Sequence, residues 1–416
     1  MTSDLGFGLK ATRDRRVPMR KQDGAERRSP GGKERKASPF TSYDDFDDTG
    51  AAMPARGNEH VRRKRRQNEI IRGGRAMSGK SHRISRRNFM VAAAAVPLVA
   101  IRTRPAQAAE FEYKLATGQS LTQPINTRLD QAVKRIREAS GGRLEIKFFP
   151  ASQLGSDTDL LTQIRSGGVD FLNIAGSVLS TVAPIAGIAN VGFAFSDYGQ
   201  VWNAMDGDLG KLIASQIEKT GALVMAKPAD NTFRQISSFT KPIKTPADLA
   251  GYRIRVPVSP IFTSLFKSLG ANPTSINFNE LYTALQTHLV DGQENGLVTI
   301  EAGKIYEVQK YISETNHIWD PFFILGNRRS VKALPEELQA IVRREFDQAA
   351  MEQRADTAKL NLTLKDQLTA KGITFEVSDK EAFRKGLSAA GFYKEWRGKF
   401  GEDNWKILEA AAGALA

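Results

Sequence analysis

Apolar and polar residues along residues 110–175 alternate in a pattern that predicts three strands and two helices. Apolar residues from Leu129 to Ile136 recur at helical spacing, and the pair Gly141-Gly142 ends that helix. Short apolar-rich runs on either side are typical of strands. The predicted elements are a strand at 110–117, the helix through Ile136, a strand at 143–150, a helix at 156–165 and a strand at 169–175.

This strand–helix order predicts a parallel sheet covered by helices, an α/β arrangement. In such sheets, ligands bind beyond the carboxyl ends of the strands. Gly118, Gln119 and Ser177 follow two of these strands directly. We therefore expect them at a ligand site.

A second alternating block begins near residue 200. Pro260 follows Ser259 as a helix start, and the next apolar residues form one stripe that Gly270 ends. The predicted elements are a helix at about 200–219, strands at 222–227 and 252–256, helices at 260–269 and 277–289, a helix from Pro335 to about Lys371, and a strand at 374–377.

The net charge of +14 belongs to the first 108 residues. They hold 25 Lys and Arg against 11 Asp and Glu, whereas residues 109–416 hold 35 of each. Residues 1–80 lack apolar periodicity, so their composition predicts disorder. Because the remaining chain is formally neutral, we expect no nucleic-acid partner.

Residues 77–108 have the layout of an export signal. Arg86-Arg87 precede an uncharged apolar run at 91–101, and Ala106-Gln107-Ala108 supplies small residues at a cleavage site. The paired arginines resemble a twin-arginine signal. We expect cleavage after about Ala108, a periplasmic mature chain, and translation from Met77, which makes residues 1–76 a mis-assigned extension.

A membrane anchor is the competing interpretation of this run. Residues 89–101 provide 13 apolar positions, about 20 Å of helix, against a hydrocarbon core of about 30 Å. The segment is too short for a span, so the mature protein is expected not to be embedded in the membrane.

Residues 74–81 (GRAMSGKS) match the phosphate-loop pattern letter for letter. That loop requires a buried strand before it and a helix after it. Here a basic run precedes it and the export signal follows it, so we reject an ATPase function.

Residues 109–416 lack the usual catalytic motifs. The chain has no Cys, and this part has only His288 and His317, with no HExxH, no GxSxG and no GxGxxG after a strand. We therefore expect neither an enzyme nor a bound metal or cofactor. An exported two-block α/β chain of this kind suggests a solute-binding protein whose lobes close on a ligand.

Four ordered segments carry a specific resemblance. They are similar to the signature of the solute-binding proteins of tripartite ATP-independent periplasmic (TRAP) transporters, of the dicarboxylate-binding type. Two further segments, 148–155 (FFPASQLG) and 307–311 (EVQKY), agree with it. The four are 252–257 (YRIRVP), 268–273 (SLGANP), 278–287 (FNELYTALQT) and 290–295 (VDGQEN).

The resemblance implies three polar ligand contacts. Arg255 matches the arginine that forms a salt bridge with the substrate carboxylate, and a guanidinium suits this because it offers parallel donors. Arg234 matches a second arginine, for which a hinge ion pair is the alternative. Asn295 matches an amide contact, although Gly296 stands where proline is usual, which puts the aim of Asn295 in question.

Aromatic residues are the remaining candidates. Phe278 matches an aromatic that packs on the ligand, and Phe193 and Trp319 are candidates for an apolar pocket wall, with a core position as the alternative. If several face the cleft, an aromatic or branched carboxylate suits the site. Gly176 stands where relatives that bind polyhydroxylated acids carry an acidic side chain, which disfavours a sugar acid.

The resemblance implies a two-lobe periplasmic binding protein fold, each lobe a mixed sheet flanked by helices. The predicted helix of about 37 residues, about 55 Å long, spans both lobes. We expect lobe 1 at 109–232 with about 321–360, and lobe 2 at 233–320 with about 361–416. The predicted function is capture of an organic carboxylate for the TRAP permease subunits in the membrane. A receptor-coupled sensing protein, or an exported hydrolase or lyase, remains the alternative.

Overall fold

The computed structural model describes residues 108–415, so the predicted extension, the export signal and the rejected phosphate loop lie outside the described residues. Within them, eleven strands form one hydrogen-bonded network. The strands are β1 (Phe111–Thr117), β2 (Leu144–Phe149), β3 (Phe171–Ala175), β4 (Ala222–Val224), β5 (Ala229–Ser238), β6 (Arg253–Val256), β7 (Asn272–Ser275), β8 (Gly292–Gly296), β9 (Tyr311–Glu314), β10 (Trp319–Asn327) and β11 (Thr374–Val377).

Fourteen α-helices and three short 3-10 helices flank these strands in the described part of the chain. The 3-10 helices are Pro184–Asn190, Pro246–Leu249 and Ile305–Glu307. The α-helices are α1 (Pro124–Ala139), α2 (Asp157–Ser166), α3 (Gly176–Leu179), α4 (Tyr198–Met205), α5 (Asp208–Glu218), α6 (Pro260–Ser268), α7 (Phe278–Gln286), α8 (Leu297–Ala302), α9 (Arg328–Ala333), α10 (Glu336–Asn361), α11 (Leu364–Ala370), α12 (Lys380–Ala389), α13 (Phe392–Phe400) and α14 (Glu402–Ala412).

Two half-sheets meet at strand β5. The first half-sheet contains β1, β2, β3, β4 and β10, in which β1 pairs parallel with β2 and β3 as the sequence predicts. The second contains β6, β7, β8, β9 and β11, in which β6 pairs parallel with β7 and β8. The start of β5 pairs with β10, and its residues from Arg234 onward pair with β8 and β9. Arg234 therefore lies where one half-sheet passes into the other.

The two strands at this crossing, β5 and β10, were not among the predicted strands. All nine residues of β10 are buried, and nine of the ten in β5 are buried. Their polar residues are compensated by partners that are distant in sequence, such as Glu294 for Arg234 and Trp319 for Asp230, and the sequence pattern does not display these pairs.

Two predicted helices are each interrupted. The helix predicted at about 200–219 is α4 and α5, because the chain turns at Asp206, whose carboxylate accepts two hydrogen bonds from Arg354 at 2.9 Å. The helix predicted from Pro335 to about Lys371 is the 26-residue α10 followed by α11. Asn361 and Thr363, both weak helix formers, stand at that break.

Three apolar cores support the site. One lies under α1 and α10 and includes Leu129 and Phe346, and another includes Leu281 and Leu368 in the second half. The largest joins residues of both half-sheets, such as Leu172 and Ile254. Within residues 108–415, no helix is both long and apolar enough to cross a bilayer.

Candidate functional site

A small cavity lies between the two half-sheets. Its volume is about 20 Å³, room for about one water molecule. Eight of its twelve lining residues are polar or charged, and six of the residues predicted from the sequence contribute to it. The lining residues are Gln119, Asp157, Ala175, Ser177, Val178, Asn231, Arg234, Arg255, Pro257, Phe278, Asn295 and Thr299.

Arg255 is a buried cation on strand β6. It is 2 % exposed, and its Nε and Nη2 atoms donate to the Ile276 carbonyl at 2.9 and 2.6 Å. Burial lowers the pKa of Arg255 to about 10, so the guanidinium stays charged at neutral pH. Among the described residues it makes no salt bridge, and since a guanidinium carries five N–H donors, three are left for another acceptor.

Arg234, on β5, is held by two carboxylates. Its Nε and Nη2 atoms donate to the Glu294 carboxylate at 2.5 and 2.9 Å, and Nη1 lies 3.4 Å from Asp320 Oδ2. Although burial acts to lower the pKa of Arg234, the charge of Glu294 raises it overall. The Arg234 side chain therefore lines the cavity and also forms a buried ion pair.

The amide of Asn295 has a fixed orientation. Its Oδ1 accepts from Arg234 Nη2 at 2.7 Å, and its Nδ2 donates to Gln293 Oε1 at 2.6 Å. A Cβ atom at Gly296 would lie 1.7 Å from Thr232 Oγ1. The Thr232 hydroxyl therefore occupies the space that a side chain at position 296 needs. The orientation of the Asn295 amide is fixed by its two hydrogen bonds.

Asp157 is a cavity residue that the sequence interpretation missed. It is the first residue of α2, where acidic residues usually face solvent, but it is only 8 % exposed. Ser156 and Asp159 form the capping box, so Asp157 is not required to cap the helix. Burial raises the pKa of Asp157 to about 6, against the opposing charge of Arg255.

Gly118 makes room for this carboxylate. A Cβ atom at position 118 would lie 2.2 Å from Asp157 Oδ1. Gly118 is therefore beside the cavity wall without lining it, and its role is to leave the Asp157 side chain in place.

Three further candidates from the sequence analysis line the cavity, namely Ser177, Gln119 and Phe278. The backbone N–H and hydroxyl of Ser177 donate to the Asp320 carboxylate at 3.0 and 2.9 Å. The side-chain amide of Gln119 has no hydrogen-bond partner within residues 108–415, whereas the backbone carbonyl of Gln119 accepts from Asn126 Nδ2 at 2.8 Å.

Phe193 and Trp319 do not line the cavity, and both pack in the largest core. The Trp319 ring stands edge-on to Trp202 at 5.5 Å, and its Nε1 donates to Asp230 Oδ1 at 2.9 Å. The Phe193 ring lies 6.4 Å from that of Phe383. The core alternative holds for both residues, because both side chains are buried in this core.

Arg255, Arg234 and Asn295 meet at one cavity between two half-sheets, and the family that the chain matches has this two-lobed architecture. A family model described as "Bacterial extracellular solute-binding protein, family 7" matches residues 115–397. The chain belongs to this family. It is a TRAP solute-binding protein of the dicarboxylate-binding type, and the TRAP solute-binding proteins of this family bind organic acids.

One curated relative of this solute-binding protein is the 2,3-diketo-L-gulonate-binding periplasmic protein YiaO of Escherichia coli (strain K12). The two are 29% identical over 291 residues, which is 70% of this chain and 88% of the relative.

Two solved structures show the same fold. A TRAP periplasmic solute-binding protein from Sulfurospirillum deleyianum with bound succinate has a TM-score of 0.69 and 26% identity, covering 73% of this chain and 99% of that one. One from Roseobacter denitrificans with bound L-galactonate has a TM-score of 0.68 and 28% identity, with the same coverage. The predicted two-lobe α/β fold is confirmed.

Proposed function

We propose that this TRAP solute-binding protein captures its organic acid through a salt bridge from Arg255, closing its two lobes around the ligand. One observation carries the proposal. Arg255 is a buried guanidinium with three N–H donors that no described residue accepts. A buried charge without a counter-ion is costly, and a ligand carboxylate supplies that counter-ion.

The other polar residues take supporting roles in this proposal. Arg234 is already neutralised by Glu294 and Asp320, so its main task is to hold Asn295, and its Nη1 keeps one donor for the ligand. Asn295 offers the second hydrogen of Nδ2, Gln119 its amide, and Phe278 an apolar contact. These assignments support binding of a small polar anion.

Closure of the two lobes contributes to the affinity for the ligand, in addition to the salt bridge from Arg255. A charge-assisted hydrogen bond contributes about 1.5–3 kcal/mol, whereas micromolar binding requires about 8 kcal/mol. Two bonds from Arg255 are therefore not sufficient, and the surfaces of both lobes must contact the ligand.

Arg255→Lys tests the salt bridge. Lysine keeps the charge but loses the planar pair of donors, so we expect affinity for the carboxylate to fall about 10- to 100-fold, the loss of about one charge-assisted bond. Isothermal titration calorimetry measures it. Arg253→Lys is the matched control, because Arg253 lies two residues away on the same strand, is exposed and pairs with Asp291. Equal affinity for Arg255→Lys and the wild type would refute the assignment.

Delivery to a membrane permease is the second part of the proposal, and membership of the TRAP family supports it. Membranes that contain the small and large permease subunits should accumulate labelled ligand only when this protein is added. Ligand uptake that is independent of the protein would contradict delivery.

Export and binding without turnover complete the proposal. Residues 77–108 carry the features of a twin-arginine signal, so N-terminal sequencing of the native protein should begin near Ala109. Prolonged incubation with a bound acid should return the acid unchanged. An altered product would favour an exported hydrolase or lyase instead.

A further inference from the structure

We propose that the ligand is a hydroxylated monocarboxylate, and that Asp157 selects it by accepting hydrogen bonds from the ligand's hydroxyl groups. This inference rests on the carrier function and on Arg255 as the carboxylate site. It names the chemistry of a second part of the wall of the same cavity, which the family assignment leaves open.

The first step is that Asp157 is held at the cavity without a partner. Ser156 and Asp159 cap α2 with each other, and among the described residues no donor lies within hydrogen-bond or salt-bridge distance of the Asp157 carboxylate. Gly118 lies against that carboxylate, where any side chain would displace it. An ionised carboxylate only accepts hydrogen bonds, so the group that meets Asp157 must be a donor.

The second step is the balance of charge around the cavity. Two cations, Arg234 and Arg255, face three buried carboxylates. Glu294 and Asp320 are both within salt-bridge distance of Arg234, at 2.5 and 3.4 Å. Only Arg255 is left for an incoming anion.

A second carboxylate on the ligand has no uncompensated cation to meet, because Arg234 is already paired with Glu294 and Asp320. None of the other described residues that line the cavity carries a positive charge. The second carboxylate would also lie beside Asp157, and like charges held in a buried site repel. The charge balance therefore favours one carboxylate per ligand.

The third step is the neutral part of the lining. Gln119, Asn231, Asn295 and Thr299 present amides and hydroxyls, which both donate and accept. Ligand hydroxyls also do both, so they match this wall. An ammonium group accepts nothing, so it would leave the donors of the Gln119 amide unsatisfied. A simple alkyl chain would leave the Gln119 amide and the second hydrogen of Asn295 Nδ2 without partners, whereas Asn231 and Thr299 are already hydrogen-bonded within the protein.

The absence of an acidic side chain at Gly176 is not an argument against a hydroxylated acid. A Cβ atom at position 176 would lie 2.7 Å from Pro321 Cγ, so packing alone excludes a side chain there. An acidic group enters the cavity from α2 instead, at Asp157.

Two matched sets of acids test the inference by calorimetry. The four-carbon set is D-erythronate, tartrate, succinate and butyrate. The six-carbon set is L-galactonate, galactarate and hexanoate, with 2-amino-2-deoxy-gluconate as the ammonium probe. We expect the hydroxylated monoacid of at least one set to bind at least about tenfold more tightly than its diacid, its alkyl acid and the ammonium probe, because each of these leaves a buried polar group or charge uncompensated.

Asp157→Asn tests the residue itself. The amide removes the negative charge at nearly constant volume, so the preference for the monoacid over the diacid should fall at least about tenfold. Asp159→Asn is the control, because it removes a charge from the same helical turn but lies outside the cavity. The control should keep the preference of the wild type.

Gly118→Ala is a second variant that keeps every charge. Its added methyl group displaces the Asp157 carboxylate, so the monoacid should bind more weakly while the fold, checked by circular dichroism, is retained. If Gly118→Ala does not fold, the Asp157→Asn comparison decides alone.

The outcomes separate this inference from the carrier function. A diacid that binds the wild type as tightly as the monoacid, and that still depends on Arg255, overturns the inference and leaves the carrier intact. An unchanged preference in Asp157→Asn, or tighter binding of the ammonium probe, also overturns it. If none of the acids binds, the carrier proposal fails and the inference fails with it.

Discussion

At the scale of single residues, the site combines two kinds of buried charge. Arg234 is compensated within the protein, since Glu294 and Asp320 surround it. Arg255 and Asp157 instead face the cavity without a direct partner among the described residues, and burial moves the pKa of each toward the neutral form. In our proposal, this uncompensated pair is the part of the site that a ligand completes.

The raised pKa of Asp157 predicts that the stability of the folded protein depends on pH. Its pKa of about 6 in the folded protein lies above the unfolded value of 3.8, so the folded state holds the proton more tightly. Stability from this group is therefore highest at low pH and is lost as the pH rises through about 6. Asp157→Asn should raise the free energy of unfolding of the ligand-free protein by about 1–3 kcal/mol at pH 8, and should have little effect at pH 4.

Denaturant titrations at the two pH values measure this effect. Asp159 behaves in the opposite way, because its bonds to Ser156 lower its pKa, so Asp159→Asn should destabilise the protein at pH 8. A destabilised Asp157→Asn at pH 8 would show that the carboxylate has a stabilising partner.

The contacts of single side chains were the hardest to foresee. The resemblance placed Arg255, Arg234 and Asn295 at one site, and all three line the cavity. Asp157 was missed because an acidic residue in the first turn of a helix is normally solvated. Phe193 and Trp319 were placed at the pocket because nothing in the local sequence separates a cleft aromatic from a core aromatic.

At the scale of elements, regular apolar patterns predicted their strands and helices well. The strand at 374–377 and the helices that begin at Pro260 and near Ser156 agree with the structure. Strands β5 and β10 were not predicted, because buried polar residues such as Asp230, Arg234 and Asp320 interrupt the apolar pattern. Their partners, such as Trp319 for Asp230 and Glu294 for Arg234, lie on other strands, so the signal is tertiary.

Strands β5 and β8 show such a tertiary pair at Thr232 and Gly296. Thr232 has a φ of +63°, which is strained for a β-branched residue, and its hydroxyl fills the space beside Gly296. Gly296→Ala should lower the free energy of unfolding by about 1–3 kcal/mol through overpacking. Adding Thr232→Gly should recover most of that loss, because it removes both the contact and the strain.

A double-mutant cycle measured by denaturant titration tests the pair. The two changes should be strongly non-additive. Simple additivity would show that Thr232 and Gly296 do not share this space.

At the scale of the whole molecule, some of the contacts that bridge the two lobes beside the cavity are weak. Four neutral side-chain hydrogen bonds bridge elements of the two half-sheets, with lengths of 3.2 to 3.4 Å. Water replaces such bonds at little cost. They are Ser120 to Ala302, Gln123 to Thr299, Ser180 to Ser259 and Asn277 to Thr158.

Opening of the lobes is required for ligand entry, because the cavity of about 20 Å³ admits about one water molecule. Small-angle X-ray scattering should therefore show a smaller radius of gyration at saturating carboxylate than without it. Identical scattering curves in the two conditions would contradict a closing motion.

The central claim is that Arg255 holds the carboxylate of the ligand. A crystal structure of the protein with the tightest-binding acid from the matched sets tests this most directly. We expect both carboxylate oxygens within about 3 Å of the Arg255 Nη atoms, while the Ile276 carbonyl keeps its bonds to Nε and Nη2. A carboxylate bound elsewhere, with Arg255 contacting only Ile276, would contradict the account.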